Sequence, residues 1–304
     1  MLTHELMVQP PAVAHQGTPL AEVRRCHMLR SILIGLDGSA CSSAAIELGI
    51  RWARRFDALL VGLGIVDEPT ICKREPVPIG VVHFKVERDR HLLAHARRRV
   101  GAILEDFARR CDVEGVTYKV LEDVGTPDIQ IMQKSRLYDL TMLGQQTYFR
   151  FETQNWPDET LQNVLRQGFR PVVAVPEVLR RGTCIVAAYN GSPQADRALR
   201  ALQTLGLLNE DEVHVVSIQA DLATAAELAE QAVDFLKLHG VRAVPHAFRP
   251  TMPVDKILLA LVEQMQAHLL VMGASVRPTW QEYVFGSVTT SVLEASPVPL
   301  FLCR

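Results

Sequence analysis

Ser31-Ile32-Leu33-Ile34-Gly35-Leu36-Asp37-Gly38-Ser39 is an apolar run that stops on a turn-forming triplet. Its apolar residues do not alternate with polar ones, which marks a strand covered on both faces rather than one at a solvated surface. Asp, Gly and Ser suit a turn and a helix start, and a helical pattern follows through Ala44, Ala45, Leu48 and Trp52. Farther along, Cys184-Ile185-Val186-Ala187-Ala188 leads into Asn190-Gly191-Ser192 in the same manner. Two such openings in one chain predict two copies of one fold.

The segments after each opening answer one another. In the first copy an apolar run, Ala58 to Val66, precedes a helical segment from about Lys85 to Arg110. Val116 to Leu121, Asp128 to Ser135, Asp139 to Gly144, Asp158 to Gln167 and Pro171 to Val175 then alternate between strand and helix patterns. Strands alternating with helices imply parallel pairing and right-handed crossovers, hence an α/β fold with a doubly wound sheet. In the second copy Val213 to Ile218 answers Leu60 to Ile65, Leu269 to Gly273 answers Leu140 to Gly144, and Ser296 to Leu300 answers Arg170 to Ala174.

The offset between copies is 153 at Asp37 and Asn190 but 129 at Gly144 and Gly273, so the first copy holds 24 more residues between those landmarks. Pro69, Pro76, Pro78 and Gly80 place most of that excess in residues 67–90 as an irregular insertion. The expected organisation is a loose N-terminal arm over residues 1–28, a first domain over 29–176, a linker over 177–183 and a second domain over 184–304. So short a linker favours two copies packed as a pseudo-dimer, with further dimerisation left open.

Composition narrows the class. The 304 residues carry 32 Lys and Arg against 34 Asp and Glu, a formal charge of -2, which argues against a generally basic nucleic-acid binder. Six scattered cysteines form no CxxC pair and no zinc-ligand spacing. No apolar run is long enough for a membrane span, and no signal-peptide pattern opens the chain, so the expected setting is the cytoplasm.

An apolar strand ending in Asp37-Gly38-Ser39, a mid-domain strand ending in Gly, and a final Pro-Val strand resemble the universal stress proteins, once per copy. The resemblance implies two tandem domains like the adenine-nucleotide α-hydrolases, in a family where many members bind ATP. Binders in that family carry a glycine, two residues, a second glycine, nine residues, then Gly-Ser or Gly-Thr. A glycine at a strand end lets backbone approach a phosphate, and a later Gly-Ser opens a helix whose free N–H groups favour an anion.

The second copy keeps much of that pattern. Met272-Gly273-Ala274-Ser275-Val276 is followed by the nine residues Arg277 to Phe285 and then by Gly286-Ser287-Val288-Thr289. Two departures are Val276, where the second glycine is expected, and Asn190, where the resembling binders have aspartate. Ile218 lies 28 residues after Asn190, where the resemblance places an apolar residue against adenine. The candidate nucleotide site is therefore Asn190, Ile218, Met272, Gly273, Ser275, Gly286, Ser287, Val288 and Thr289, with ATP and its magnesium as the expected ligand.

The first copy keeps Asp37 and Ile65 but has Gly144-Gln145-Gln146-Thr147 in place of the loop. Asp158 and Glu159 stand at the expected helix start, where two carboxylates would repel a triphosphate. The first copy is thus expected to bind no ATP, and Asp37 to act as a turn and capping residue.

Glu87, His91 and His95 have metal-like spacing, yet both histidines fall opposite the apolar stripe and among arginines, which predicts a solvated face. No GxSxG elbow or Cys–His pairing supports nucleophilic catalysis. The expected function is that of a stress-response regulator or sensor with an adenine-nucleotide site in the second copy and an unidentified protein partner. The alternative is a protein-interaction scaffold without nucleotide, and an ATP-hydrolysing enzyme is the least supported class.

Overall fold

The computed structural model describes residues 29–73, 82–208, 211–274, 276–278 and 283–304. The expected arm over 1–28 and part of the 67–90 insertion lie outside the described residues. The N-terminal copy runs β1 (Ser31–Leu36), α1 (Ala40–Phe56), β2 (Leu59–Val66), α2 (Glu68–Ile71), α3 (Val82–Glu114), β3 (Tyr118–Val124), α4 (Pro127–Ser135), β4 (Leu140–Gly144), α5 (Thr160–Gln167) and β5 (Val172–Val175). The C-terminal copy runs β6 (Cys184–Ala188), α6 (Pro193–Thr204), β7 (Glu212–Ile218), α7 (Leu222–Leu238), β8 (Ala243–Phe248), α8 (Val254–Gln264), β9 (Ala267–Gly273), β10 (Val276–Pro278), β11 (Tyr283–Phe285), α9 (Ser287–Ala295) and β12 (Leu300–Cys303).

Ten of these strands form one sheet in the order β3-β2-β1-β4-β5-β12-β9-β6-β7-β8. Every pairing is parallel except β5 with β12, which run antiparallel with Leu300 opposite Ala174 and Leu302 opposite Val172. Each half is a five-stranded, doubly wound α/β unit, and the two meet through their last strands. The final strand is thus interior and paired within the chain. It begins at Leu300, so Pro299 removes no ladder donor, and the Pro299 carbonyl still accepts the Leu270 N–H at 3.0 Å.

Two apolar layers lie on the two sheet faces, and each continues across both copies. One holds Ile34, Phe107, Ile185 and Phe301, and the other holds Leu33, Ile131, Val186 and Leu302. Neighbours along a strand, such as Leu33 and Ile34, divide between the layers because side chains alternate. This explains the unbroken apolar runs of the sequence.

The openings of the two copies share local geometry. Ser39 and Ser192 cap α1 and α6, accepting the N–H groups of Ser42 and Ala195. Gly38 and Gly191 before them have φ of +76° and +72°, a conformation that a side chain strains. A Cβ at either would also press on the opposing helix, within 2.8 Å of Ile103 or 2.7 Å of Leu228.

The insertion departs from expectation. Pro69 stands in the first turn of α2, where its missing N–H costs nothing, and α3 opens at Val82 rather than near Lys85. Residues 82–90 of that segment are therefore the start of a 33-residue helix. β3 also lies later than the sequence pattern suggested, at Tyr118–Val124, because the polar residues Glu122 and Asp123 pair as an edge strand beside β2.

Candidate functional site

In each copy the chain leaves the first strand for one side of the sheet and later returns to the other side. The crevice beyond the carboxyl ends of β6 and β9 is such a switch point, where open α/β sheets take ligands. A cleft of about 670 Å³ lies there. Its apolar lining comes from Val216, Ile218, Val254, Leu258 and Met272, and its polar lining from Asn190, Ser192, Gln219 and the start of α9.

Eight of the nine residues nominated from sequence line this one cleft: Asn190, Ile218, Met272, Gly273, Gly286, Ser287, Val288 and Thr289. Ser275 lies outside the described residues. Ala188, Tyr189, Ser192, Ala195, Val216, Gln219, Val254 and Leu258 also line it and were missed. Val216 could have been found from strand period, sitting two residues before Ile218 on the same face. Val254 and Leu258, four apart at the start of α8, share a helix face, which by itself does not point to a ligand.

No charged side chain lines the cleft among the described residues. Its attraction for an anion would come from the start of α9, where Gly286 is the N-cap and makes no side-chain hydrogen bond. The N–H groups of the first turn have no partner inside the helix, and the helix dipole adds a partial positive charge. Asn190 is exposed and turns its Oδ1 to the Ser192 N–H at 3.1 Å. Tyr189 donates to Asp196 at 2.6 Å, and burial, reinforced by that carboxylate, pushes its hydroxyl up to about 12, so it stays a neutral donor.

Gly273 has a structural reason of its own. A Cβ there would stand 2.5 Å from the Ala195 nitrogen and 2.6 Å from the Gln194 carbonyl carbon. The glycine lets α6 approach the end of β9, and Gly144 serves α1 likewise, with a Cβ falling 2.8 Å from that of Cys41.

The matching region of the N-terminal copy is filled by its own chain. Asp37 is 1% exposed, accepting from Ser39 N–H at 2.8 Å and from Tyr148 N–H at 2.7 Å. Burial raises its carboxyl above the ordinary value, outweighing these donors. Asp37 therefore holds the 145–158 loop as well as the turn, a role wider than helix capping. Phe149 from that loop is buried and lies against Gly35, where a Cβ would meet its ring at 3.0 Å.

Of the two carboxylates expected at the start of α5, Asp158 is buried and accepts from Thr147 Oγ1, Arg150 N–H and Thr160 N–H. Glu159 is exposed and makes no capping bond. Arg150 also pairs with the buried Asp67 at 3.3 Å.

The histidines of α3 lie toward solvent, with His91 76% exposed beside Glu87. His95 is not solely solvated, because its Nδ1 meets Glu152 of the 145–158 loop at 2.6 Å. No group of three potential metal ligands occurs among the described residues. Among them, too, no helix is long and apolar enough to cross a membrane.

The fold is a tandem pair of doubly wound α/β units, with a cleft at the switch point of the second. Residues 183–304, the C-terminal copy, match the model of the Universal stress protein family. A curated universal stress protein of Synechocystis is 24% identical over 204 residues, spanning 60% of this chain and 68% of the relative. The crystal structure of a universal stress protein from Archaeoglobus fulgidus superposes with a TM-score of 0.68, covering 90% of this chain and 98% of that one at 20% identity. A putative universal stress protein from Pseudomonas aeruginosa does so at 0.60, with 92% and 94% covered and 15% identity. Residues 183–304 thus match the Universal stress protein family, and the N-terminal copy repeats the same doubly wound fold.

Proposed function

We propose that the C-terminal copy binds an adenine nucleotide, ATP or a close relative, and that the chain acts as a stress-response regulator in which this site senses the nucleotide. One observation carries the reading: residues nominated by phosphate-loop spacing, from strand ends and a helix start far apart in sequence, line a single cleft. The apolar wall around Ile218 suits a planar base, and the start of α9 suits a phosphate. With no carboxylate in the lining among the described residues, magnesium would be carried on phosphate oxygens and water, screening the charge of the polyphosphate.

This is a reading of binding rather than hydrolysis. No lining carboxylate or histidine among the described residues could position an attacking water. The test is equilibrium binding of ATP, ADP and GTP to nucleotide-stripped protein, with Ile218→Arg beside it. Saturable binding of ATP that the arginine abolishes supports the assignment. Binding unaffected by Ile218→Arg places the nucleotide elsewhere, and no binding at millimolar ATP favours the scaffold reading.

A further inference from the structure

The two copies cap one another's last helices. The Leu293 carbonyl in the last turn of α9, and that of the C-cap residue Ser296 just beyond it, accept from Gln145 Nε2 at 2.5 and 3.3 Å. Gln145 belongs to the other copy, directly after β4, and its own N–H is fixed on the Val175 carbonyl at 2.7 Å. In α5 the Arg166 carbonyl accepts from the guanidinium of Arg304, which follows β12. Carbonyls in the last turn of a helix have no donor within it, so the Leu293 and Arg166 contacts close groups that the junction would otherwise orphan. β11, just before α9, also lies against α5.

The consequence falls on the cleft. α9 is nine residues long, roughly 13 Å at the helical rise, and its opposite end is the Gly286 start that lines the cleft. In so short a rod, holding the last carbonyls sets where the first N–H groups point. Gln145 stands where the N-terminal copy has lost the glycine-spaced loop. Its counterpart by the Gly144–Gly273 offset is Ala274, whose buried methyl can donate nothing in return.

We infer that Gln145 is a positioning residue for the C-terminal cleft: the N-terminal copy has exchanged a phosphate loop of its own for a brace on the helix that opens onto its partner's site. The ligand side of this inference rests on the nucleotide reading, whereas the brace is a property of the free protein. Linkage makes the coupling reciprocal, so occupancy of the cleft also steadies the junction between the copies.

The test compares the full chain with Gln145→Glu, Gln145→Ala and Gln145→Lys. Glutamate keeps the shape but turns an acceptor and a negative charge on the carbonyls, against the helix dipole. Alanine only removes the donor, and lysine restores one. Hydrogen exchange read by mass spectrometry should show the α9 amides from Thr290 to Leu293 exchanging about tenfold faster in the glutamate variant, since one buried hydrogen bond is of that order. Alanine should give a smaller change in the same direction, lysine should return protection, and β6 and β7 should not change in any variant. ATP affinity should weaken about five- to tenfold with glutamate and recover with lysine. Unchanged α9 exchange in both the glutamate and alanine variants overturns the brace. Loosened α9 with unaltered ATP affinity overturns the positioning role. A parent protein that binds no ATP sinks the nucleotide reading, and the exchange data then decide the brace by themselves.

Discussion

The Asp37 carboxylate accepts the Tyr148 N–H at 2.7 Å, tying the end of β1 to a loop 111 residues away. At the matching place in the C-terminal copy, Asn190 is exposed and, among the described residues, bonds within its own turn. One copy spends its strand-one polar residue on closing the crevice, while the other leaves the crevice open. The asymmetry of the molecule follows from that difference.

Burial raises the Asp37 carboxyl above its ordinary value of 3.8. A carboxyl raised in the folded state holds its proton more tightly there than in the unfolded chain. Its contribution to stability is therefore full below about 3.8 and is lost as pH rises through the higher folded value. Asp37→Asn keeps an acceptor for Ser39, as Asn190 does for Ser192, and should remove this dependence. The difference in urea midpoint between parent and variant should therefore shift across that window, the parent losing ground to the variant as pH rises. Parallel curves would contradict the account.

Gly273→Ala should destabilise the protein by about 1–3 kcal/mol with or without ligand, because its methyl meets α6 backbone that has no room to yield. Thermal unfolding of the ligand-free variant checks this. A variant as stable as the parent would mean that α6 does not approach β9 so closely.

His214 Nδ1 and His246 Nε2 lie 2.8 Å apart on the outer strands β7 and β8, with Glu212 3.7 Å from the other side of His214. Burial, and then the neighbouring His214, lowers the His246 imidazole from its ordinary value of 6.5, while Glu212 opposes the shift. The neutral form is favoured in the fold, so its stabilisation is present above 6.5 and is lost as pH falls through the lower folded value. His246→Gln should reduce the drop in denaturation midpoint between neutral and mildly acidic buffer. An equal drop in both proteins would rule the pair out as its source.

Asp211 of the C-terminal copy faces Arg55 of the N-terminal copy at 3.6 Å and His268 at 3.2 Å. The His268 contact, with Arg55 aiding, holds its carboxyl below the ordinary value against the cost of burial. Partial exposure keeps such a pair near 1 kcal/mol or less. Asp211→Asn should therefore lower stability slightly at neutral pH, and the difference should close as pH falls below the ordinary carboxylate range. A double-mutant cycle with Arg55→Ala measures the coupling, and a value near zero would show that the pair joins the copies in geometry alone.

Much of this architecture was legible because strands buried on both faces leave unbroken apolar runs, as in Ile32–Leu36 and Ile185–Ala188. The repeat showed through the offsets at Asn190 and Gly273, and the cleft residues through the spacing from Gly273 to Gly286. The plug of the N-terminal copy was not legible. It depends on backbone N–H groups, which carry no side-chain signature: that of Tyr148 meets Asp37 far away in sequence, and that of Arg150 meets Asp158 within the same loop. The Gln145 brace was hidden for a related reason, since its acceptors are main-chain carbonyls of the other copy. The wall residues Val254 and Leu258 carry no signal of their own in the sequence, because a helix face over a ligand cleft and one over a packed layer have the same period.

Calorimetric titration of nucleotide-stripped protein with ATP and magnesium, beside Gly286→Asp, tests the central claim most directly. Gly286 has φ −61° and ψ 147° as the N-cap of α9, a conformation open to any residue. Aspartate is a preferred N-cap, so the variant should fold at least as well as the parent while setting a carboxylate where the phosphate would lie. About one site per chain is expected in the parent and none in the variant, with its thermal transition retained. Equal binding by both proteins, or none by the parent, would contradict the claim.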